Sequence, residues 1–404
     1  MRDERRCNGT GGSNRKSDEI HPFFRRLQLK DMSDETPTLK DRIVSIDVLR
    51  GFSMFLILAI DIGGAPIFRT FTRLWGEGFA KAAAVQFSYG FAQGLRLCFI
   101  AQPLFHFVVG LVIPFSLSKR LLEKQKSKTN VYLHIVKRAV ILFVLGEIAG
   151  GHLLHLQFAQ MPLYNNVLEY LAIGYLVGAI LVLNTSVLVQ FIVTAALLVG
   201  YWAIFLFIRV PGWAGETFSR EMNLAIYVDN IVLGAHHARG SWEVLATVNF
   251  VANVLIGVLV GQLLIRAATK QYKLKMLLGI GSAMLVGGFI WGFFFPVIRS
   301  LWSSSFVVET CGIATLLLAL LFWLNDVLGY VKWAFFFMMF GVNSIAIYMM
   351  AHLFDFRLIG NIILGGLGRF WAPNVQDFVQ ACGAMVIMYL IVYYMYQKRT
   401  FIKI

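Results

Sequence analysis

Apolar runs of about 20 residues recur along most of the chain, separated by polar stretches. A helix of about 20 residues crosses a hydrocarbon core of roughly 30 Å. The pattern predicts ten spanning helices, over residues 43–65, 97–117, 131–150, 166–184, 187–208, 244–266, 275–297, 305–325, 332–353 and 376–396. The expected fold is all-α, a polytopic membrane helix bundle that forms one domain over residues 43–396. Residues 1–42 are polar, charge-mixed and Gly/Ser-containing, and read as a disordered cytoplasmic tail. They hold no apolar run like that of a signal peptide, and Met32 is a second candidate start. Residues 397–404 form a short cytoplasmic tail. No internal repeat stands out, although Gly63–Gly64 and Gly287–Gly288 are candidate helix breaks.

Composition agrees: of 404 residues, 58% are hydrophobic and 14% charged, too few charges to cover a soluble protein of this size. Charge adds sidedness. The net charge is +14, yet residues 1–42 hold ten Lys/Arg against eight Asp/Glu, so most of the excess lies at span ends. SKRLLEKQKSK after the second span, RAATKQYKLK before the seventh and QKRTFIKI at the C-terminal end all fall on one side of a ten-span bundle. The positive-inside rule puts that side, and both termini, in the cytoplasm. The expected location is the cell inner membrane, with segments 66–96, 209–243 and 354–375 outside. No nucleic-acid-binding module is visible. Cys7, Cys98, Cys311 and Cys382 are scattered, with neither a disulfide framework nor a metal-binding spacing. No metal is expected, and the sequence leaves the oligomeric state open.

The first span, RIVSIDVLRGFSMFLILAIDIGGA, contains Asp47, Arg50 and Asp61. Asp47 and Arg50 are spaced i,i+3 and can pair on one face. Asp61 follows Arg50 by eleven residues and returns to nearly the same face, about 21 Å along the axis from Asp47. Charges on a spanning helix face the bundle interior or a wet cavity. Glu147, Glu169 and Glu309 fall at a depth similar to Asp61, while Gln102, His106, Asn343, Tyr348 and His352 add polar groups within other spans. Glu147 and Glu169 read equally as functional groups or as interhelical hydrogen-bonding groups. His106, between PLF and FVVG, reads as a packed residue.

These residues carry a resemblance. SIDVLRGF followed by LAIDIGG resembles the opening helix of the heparan-α-glucosaminide N-acetyltransferase family and its bacterial relatives. QPLFHFVVGLVIPFSLSKR, NVLEYLAIGYLVGAIL, NLAIYVDNIVLG, LWSSSFVVETCGIATLLLALLFWLNDV and FGVNSIAIYM resemble later family segments in the same order. The resemblance covers residues 42–396. It implies transfer of an acetyl group from cytoplasmic acetyl-CoA to a sugar amine or hydroxyl on the far side. Acetyl-CoA is then the expected donor, and the partners are the lipid bilayer and an extracytoplasmic carbohydrate. Asp47, Arg50, Lys119, Arg120 and Asn343 are the candidate cofactor-binding residues, with Lys137 and Arg138 nearby; the positive-inside rule alone also predicts such charges.

The catalytic pattern departs from the family's. The resemblance implies a base histidine in an outer-loop H-x-x-W-x-G pattern and an Asp shortly before the P-x-F motif. Tyr89, Ala92 and Phe99 stand at the His, Trp and Asp positions. The lysosomal branch also has Asn where this chain has Asp61. Candidate catalytic residues are therefore Asp61, Tyr89, His152 (with His155 at i,i+3) and Glu309. His236 and His237 read as solvated loop residues. Two further functions remain on the same scaffold, a transporter and a catalytically silent binding protein.

Overall fold

The computed structural model describes residues 43–60, 66–75, 77–87, 92–122, 128–151, 161–213, 215, 217–237, 242–267, 269–366 and 370–400. Residues 1–42 and 401–404, including most of both expected tails, lie outside that set. The described residues form fifteen α-helices and no sheet. These are α1 (Val44–Ile60), α2 (Ile67–Thr72), α3 (Glu77–Gln86), α4 (Leu97–Leu122), α5 (Lys128–Ala149), α6 (Val167–Asn184), α7 (Val187–Phe207) and α8 (Leu224–Leu233). The rest are α9 (Glu243–Arg266), α10 (Lys270–Trp291), α11 (Ser304–Phe322), α12 (Phe335–Val342), α13 (Ser344–Leu353), α14 (Phe356–Leu364) and α15 (Pro373–Gln397).

A helix occupies each of the ten predicted positions. Among the described residues, seven are individually long and apolar enough to span, and the α12–α13 pair makes an eighth. α1 has 17 described residues, and α5 carries Lys128, Lys137, Arg138 and Glu147. The chain is thus a multi-pass helical membrane protein. Side-chain caps start several of its helices: Asn166 begins α6, Ser186 α7, Thr269 α10 and Ser303 α11. Two caps come from distant segments. The carboxylate of Asp326 accepts from Val44 N and Ser45 N at 2.9 and 3.1 Å, closing the start of α1. Asp229 accepts from Glu243 N and Val244 N at the start of α9.

Hydrogen bonds sort the turns onto two ends. Tyr132 meets Asn184, Gln190 meets Gln262, and Lys270 meets Asp326 at the end carrying the basic connections. Asp229 meets Glu243, Arg299 meets Gln102, and Arg73 meets Asp377 at the end carrying the long connections.

Glycine makes the tight crossings. α4 and α9 meet through Gly110, Gly257 and Gly261; a Cβ on Gly257 would lie 2.1 Å from Phe107 O. α1 crosses α12 at Gly51, where a Cβ would lie 1.6 Å from Phe337 O. Two expectations need correction. The ninth span is not one helix: α12 and α13 are bent by 74° at Asn343. Gly287–Gly288 does not break α10, because Gly288 is spent on close packing against the Glu309 backbone. Gly63–Gly64 lies outside the described residues.

Candidate functional site

The break at Asn343 shapes a cavity. Asn343 has φ −116° and ψ 37°, so the α-helical ladder stops and α13 starts afresh. Asn343 is buried, and its Nδ2 donates to Thr400 O at 3.3 Å. The next two residues, Ser344 and Ile345, line a cavity of about 70 Å³ with Arg50 of α1, Ser116 of α4, Arg138 and Leu142 of α5, and Leu171 and Tyr175 of α6. The first turn of a helix has backbone N–H groups without intrahelical acceptors, and its dipole favours an anion. Two guanidinium groups thus share a membrane-embedded cavity with a helix N-terminus.

The two arginines are held differently. Arg50 Nη2 lies 3.2 Å from Asp47 Oδ1, the i,i+3 pair expected from the sequence. Gly51 lets α12 approach that turn, since a Cβ on Gly341 would lie 2.7 Å from Asp47 O. Asp47, Arg50 and Gly51 therefore form one unit, a charged pair beside a backbone-to-backbone crossing. Arg138 stacks its guanidinium over the Tyr175 ring at 4.5 Å, while its buried Nε has no hydrogen-bond partner. Lys119 is exposed near the end of α4 and does not line the cavity; Arg120 follows it, its side chain outside the described set.

A second polar group sits at the long-loop end of the helices that line this cavity. Glu169 of α6 is buried, and its Oε2 accepts from Asn166 N at 3.2 Å in a capping box. Its side chain crosses α5 at Gly146, where a Cβ would lie 2.9 Å from Glu169 Oε1, next to the buried Glu147. Glu147 Oε1 accepts from Tyr164 N at 3.4 Å. Tyr348 of α13 donates to Asn166 Oδ1 at 3.2 Å, and His352 stacks on Tyr348. Tyr164 has φ +58° yet makes a 2.6 Å hydrogen bond to Thr247 and an edge contact with Tyr170. Such backbone strain persists where the surroundings over-determine the residue. Burial raises the Tyr164 phenol above its ordinary range, so this hydroxyl stays protonated.

The other sequence candidates separate. Asp61, Tyr89, His152 and His155 lie outside the described residues. Glu309 sits at the α10–α11 contact against Gly288, with no hydrogen bond joining it to the Glu147–Glu169 group among the described residues. His106 is fully buried in an aromatic setting with Phe250 and Trp302, as packing predicts. His236 and His237 are less solvated than their loop position suggested. His236 Nδ1 lies 2.9 Å from Met161 O, and His237 Nδ1 lies 4.0 Å from Asp229. Phe99, at the position where the resemblance implies an acid, is buried with the guanidiniums of Arg96 and Arg299 at 5.5 and 5.6 Å from its ring. Both guanidiniums are within cation–π range of that ring.

Sequence reasoning missed Tyr175, Ser116 and Ser344. Arg138 and Tyr175 are far apart in sequence, and no local pattern marks their stacking. Asn343 was legible as a polar residue in an apolar run, but its role as a helix break was not.

No family model matches the chain. The chain is similar to the heparan-alpha-glucosaminide N-acetyltransferase of Homo sapiens, 24% identical over 434 aligned positions that take in 91% of this chain and 60% of the human protein. It is 23% identical to the same enzyme of Mus musculus, over 90% of this chain and 61% of the mouse protein. The chain thus spans about 60% of the length of the curated relatives it matches, and its relationship to them is a distant one. The apolar helices make this a multi-pass membrane protein, and the likeness relates it distantly to these membrane acetyltransferases.

Proposed function

We propose that this protein transfers an acetyl group from acetyl-CoA, taken at the basic end, to an amine or hydroxyl of a carbohydrate at the long-loop end. The observation that carries this reading is the cavity where Arg50, Arg138 and the N-terminus of α13 converge inside the bundle. Coenzyme A is polyanionic, and phosphate oxygens suit guanidinium groups and free helix N–H groups. The residues fit such a group: a buried Arg138 Nε lacks an acceptor, and the hydroxyls of Ser116 and Ser344 border the same space. At about 70 Å³ the cavity has room for one phosphate-sized group, so the rest of the cofactor extends beyond it. Bound acetyl-CoA would supply the acetyl group as an activated thioester.

The same helices lead to the acceptor end. Nine residues of α5 separate Arg138 from Glu147, about 13.5 Å along the axis. Leu142 and Leu171, both lining the cavity, fall between these two levels on α5 and α6. At the far end Glu169, with Glu147 beside it, accepts the proton that an acceptor amine or hydroxyl must lose to become a nucleophile. Asp61, Tyr89, His152 and Glu309 remain candidates for that task. The positive-inside distribution supports both termini in the cytoplasm, and the cell inner membrane is the location that goes with this reading.

Titrating acetyl-CoA into the purified protein by calorimetry tests the donor site. The proposal expects binding that Arg138→Gln weakens; no binding to the unaltered protein overturns it. One observation favours a second reading, a transporter: a spanning helix broken at an ion-binding N-terminus is a transporter device. Vesicle uptake of an anionic solute without acetylation would select that reading.

A further inference from the structure

Helix α14 falls in the segment 354–375 expected to lie outside, yet it packs along the spanning helix α15. Its contacts with α15 advance in the same direction along both helices. Arg357 Nη2 lies 3.1 Å from Asp377 Oδ1. Gln380 Nε2 donates to Asn361 Oδ1 at 2.8 Å, and a Cβ on Gly360 would lie 3.1 Å from Gln380 O. A Cβ on Gly383 would lie 2.4 Å from Leu364 Cδ1. α14 therefore runs parallel to α15. α15 starts at the long-loop end, where Asp377 pairs with Arg73, and its far end meets α12 through Tyr396 and Phe335. α14 accordingly descends beside the first half of α15, by about 9 Å between the levels of Asp377 and Gly383.

The side chains of α14 are arranged inside out for a helix in water. Its polar residues Arg357 and Asn361 turn toward α15, bonded as described. Its outward face is Leu358, Ile362 and Ile363, 57%, 75% and 62% exposed. Nine residues are too short to cross a bilayer. Where α14 begins, the carboxylate of Asp377 is held between two half-exposed guanidiniums, Arg73 and Arg357, while Asp355 spends its carboxylate capping the helix at Leu358 N. Aromatic side chains surround this level: Phe71 contacts Phe378 and Trp75, and Trp75 contacts Phe79. Trp75 and Phe370 are largely exposed. Exposed aromatics beside cations are what a membrane–water interface selects.

We propose that α14 is a re-entrant half-helix seated in the leaflet on the long-loop side, with phospholipid as its partner. Acyl chains cover Leu358, Ile362 and Ile363, and the headgroup phosphate meets the Arg73–Arg357 pair. The proposal holds whichever way the bundle faces. It gives α14 a purpose in the site as well. Only Phe354 and Asp355 separate it from α13, whose other end forms the cavity, so lipid would fix the far end of that helix.

Nitroxide accessibility in the full chain tests this. Cys7 and Cys382 are replaced by Ser, while the buried Cys98 and Cys311 are left. Single cysteines replace Leu358, Ile362 or Ile363, with exposed Val386 of α15 as a lipid-facing reference. Each is spin-labelled in phosphatidylcholine–phosphatidylglycerol vesicles. The expected result is high collision with oxygen and low collision with a water-soluble nickel chelate at all three positions, like position 386. A label at position 75 should meet both reagents. High nickel collision at position 362 would overturn the proposal by placing α14 in water. Low collision with both reagents would overturn it by showing protein cover, such as a second copy of the chain. The three positions are outward-facing, so loss of one variant leaves two to decide.

Discussion

A methyl group at Gly51 is the sharpest test of how the site is built. The Cβ of Gly51→Ala would lie 1.6 Å from Phe337 O and 2.4 Å from Phe337 C, both backbone atoms that no rotamer change can move. Ordinary contact begins near 3.4 Å, so α1 and α12 must separate by about 1.8 Å at this point. Overpacking of this kind costs typically 1–3 kcal/mol. A clash with main chain belongs at the upper end, about 3 kcal/mol, or roughly 6–12 °C in melting temperature on the scaling for large domains. Separation also carries Asn343 and Ser344 away from Arg50, so ligand binding in the cavity should fall with stability. Scanning fluorimetry of the detergent-solubilised protein measures the first effect. Gly279→Ala and Gly287→Ala are the controls: a Cβ at either meets nothing within 4 Å, and alanine is the better helix former. Their melting temperatures should stay level or rise slightly. If Gly51→Ala matched these controls, the α1–α12 crossing would not be as drawn and the explanation of the Asp47–Arg50–Gly51 unit would fail.

The remaining predictions concern charge. Arg138→Gln should weaken acetyl-CoA binding roughly 10- to 100-fold, the worth of a charge-assisted hydrogen bond, with little change in melting temperature; titration calorimetry reads it. Glu169→Gln should lower kcat by about 10²–10⁴ and leave acetyl-CoA affinity intact, because Glu169 does not line the donor cavity; an unchanged kcat would assign the base elsewhere. Burial raises the Asp229 carboxyl above its ordinary value despite the N–H donors of Glu243 and Val244. The native state then binds that proton more tightly than the unfolded chain, so stability should fall as pH rises from the ordinary Asp value through the raised one. Asp229→Asn, which keeps a capping oxygen, should flatten this slope in melting curves taken from pH 4 to 8.

The apolar runs were sufficient for the bundle because a bilayer leaves few alternatives to helices of this length. The Asp47–Arg50 pair was legible for a similar reason, since helical spacing alone brings i and i+3 together. Interruptions were harder to read. FFFMMFGVNSIAIYMM is almost continuously apolar apart from Asn343 and Ser344, and nothing local says that the chain turns 74° there. The turn comes two residues after Gly341, which crosses α1 at Gly51, a contact between segments some 290 residues apart. Gly287–Gly288 misled for the complementary reason: one glycine serves packing against Glu309, and the helix continues through both. The same holds for α14, whose composition fits a loop-end helix. Its parallel course beside α15 follows from Gly360 and Gly383, small residues that admit close contact at membrane depth.

The central claim is that acetyl groups, rather than whole solutes, pass between the two ends of this bundle. Proteoliposomes with an amino sugar trapped inside and acetyl-radiolabelled acetyl-CoA outside test it directly. The account predicts labelled N-acetyl sugar inside the vesicles while coenzyme A stays outside, and loss of that product in Arg138→Gln. Vesicles that bind acetyl-CoA yet form no acetylated sugar, or that take up acetyl-CoA intact, would contradict it.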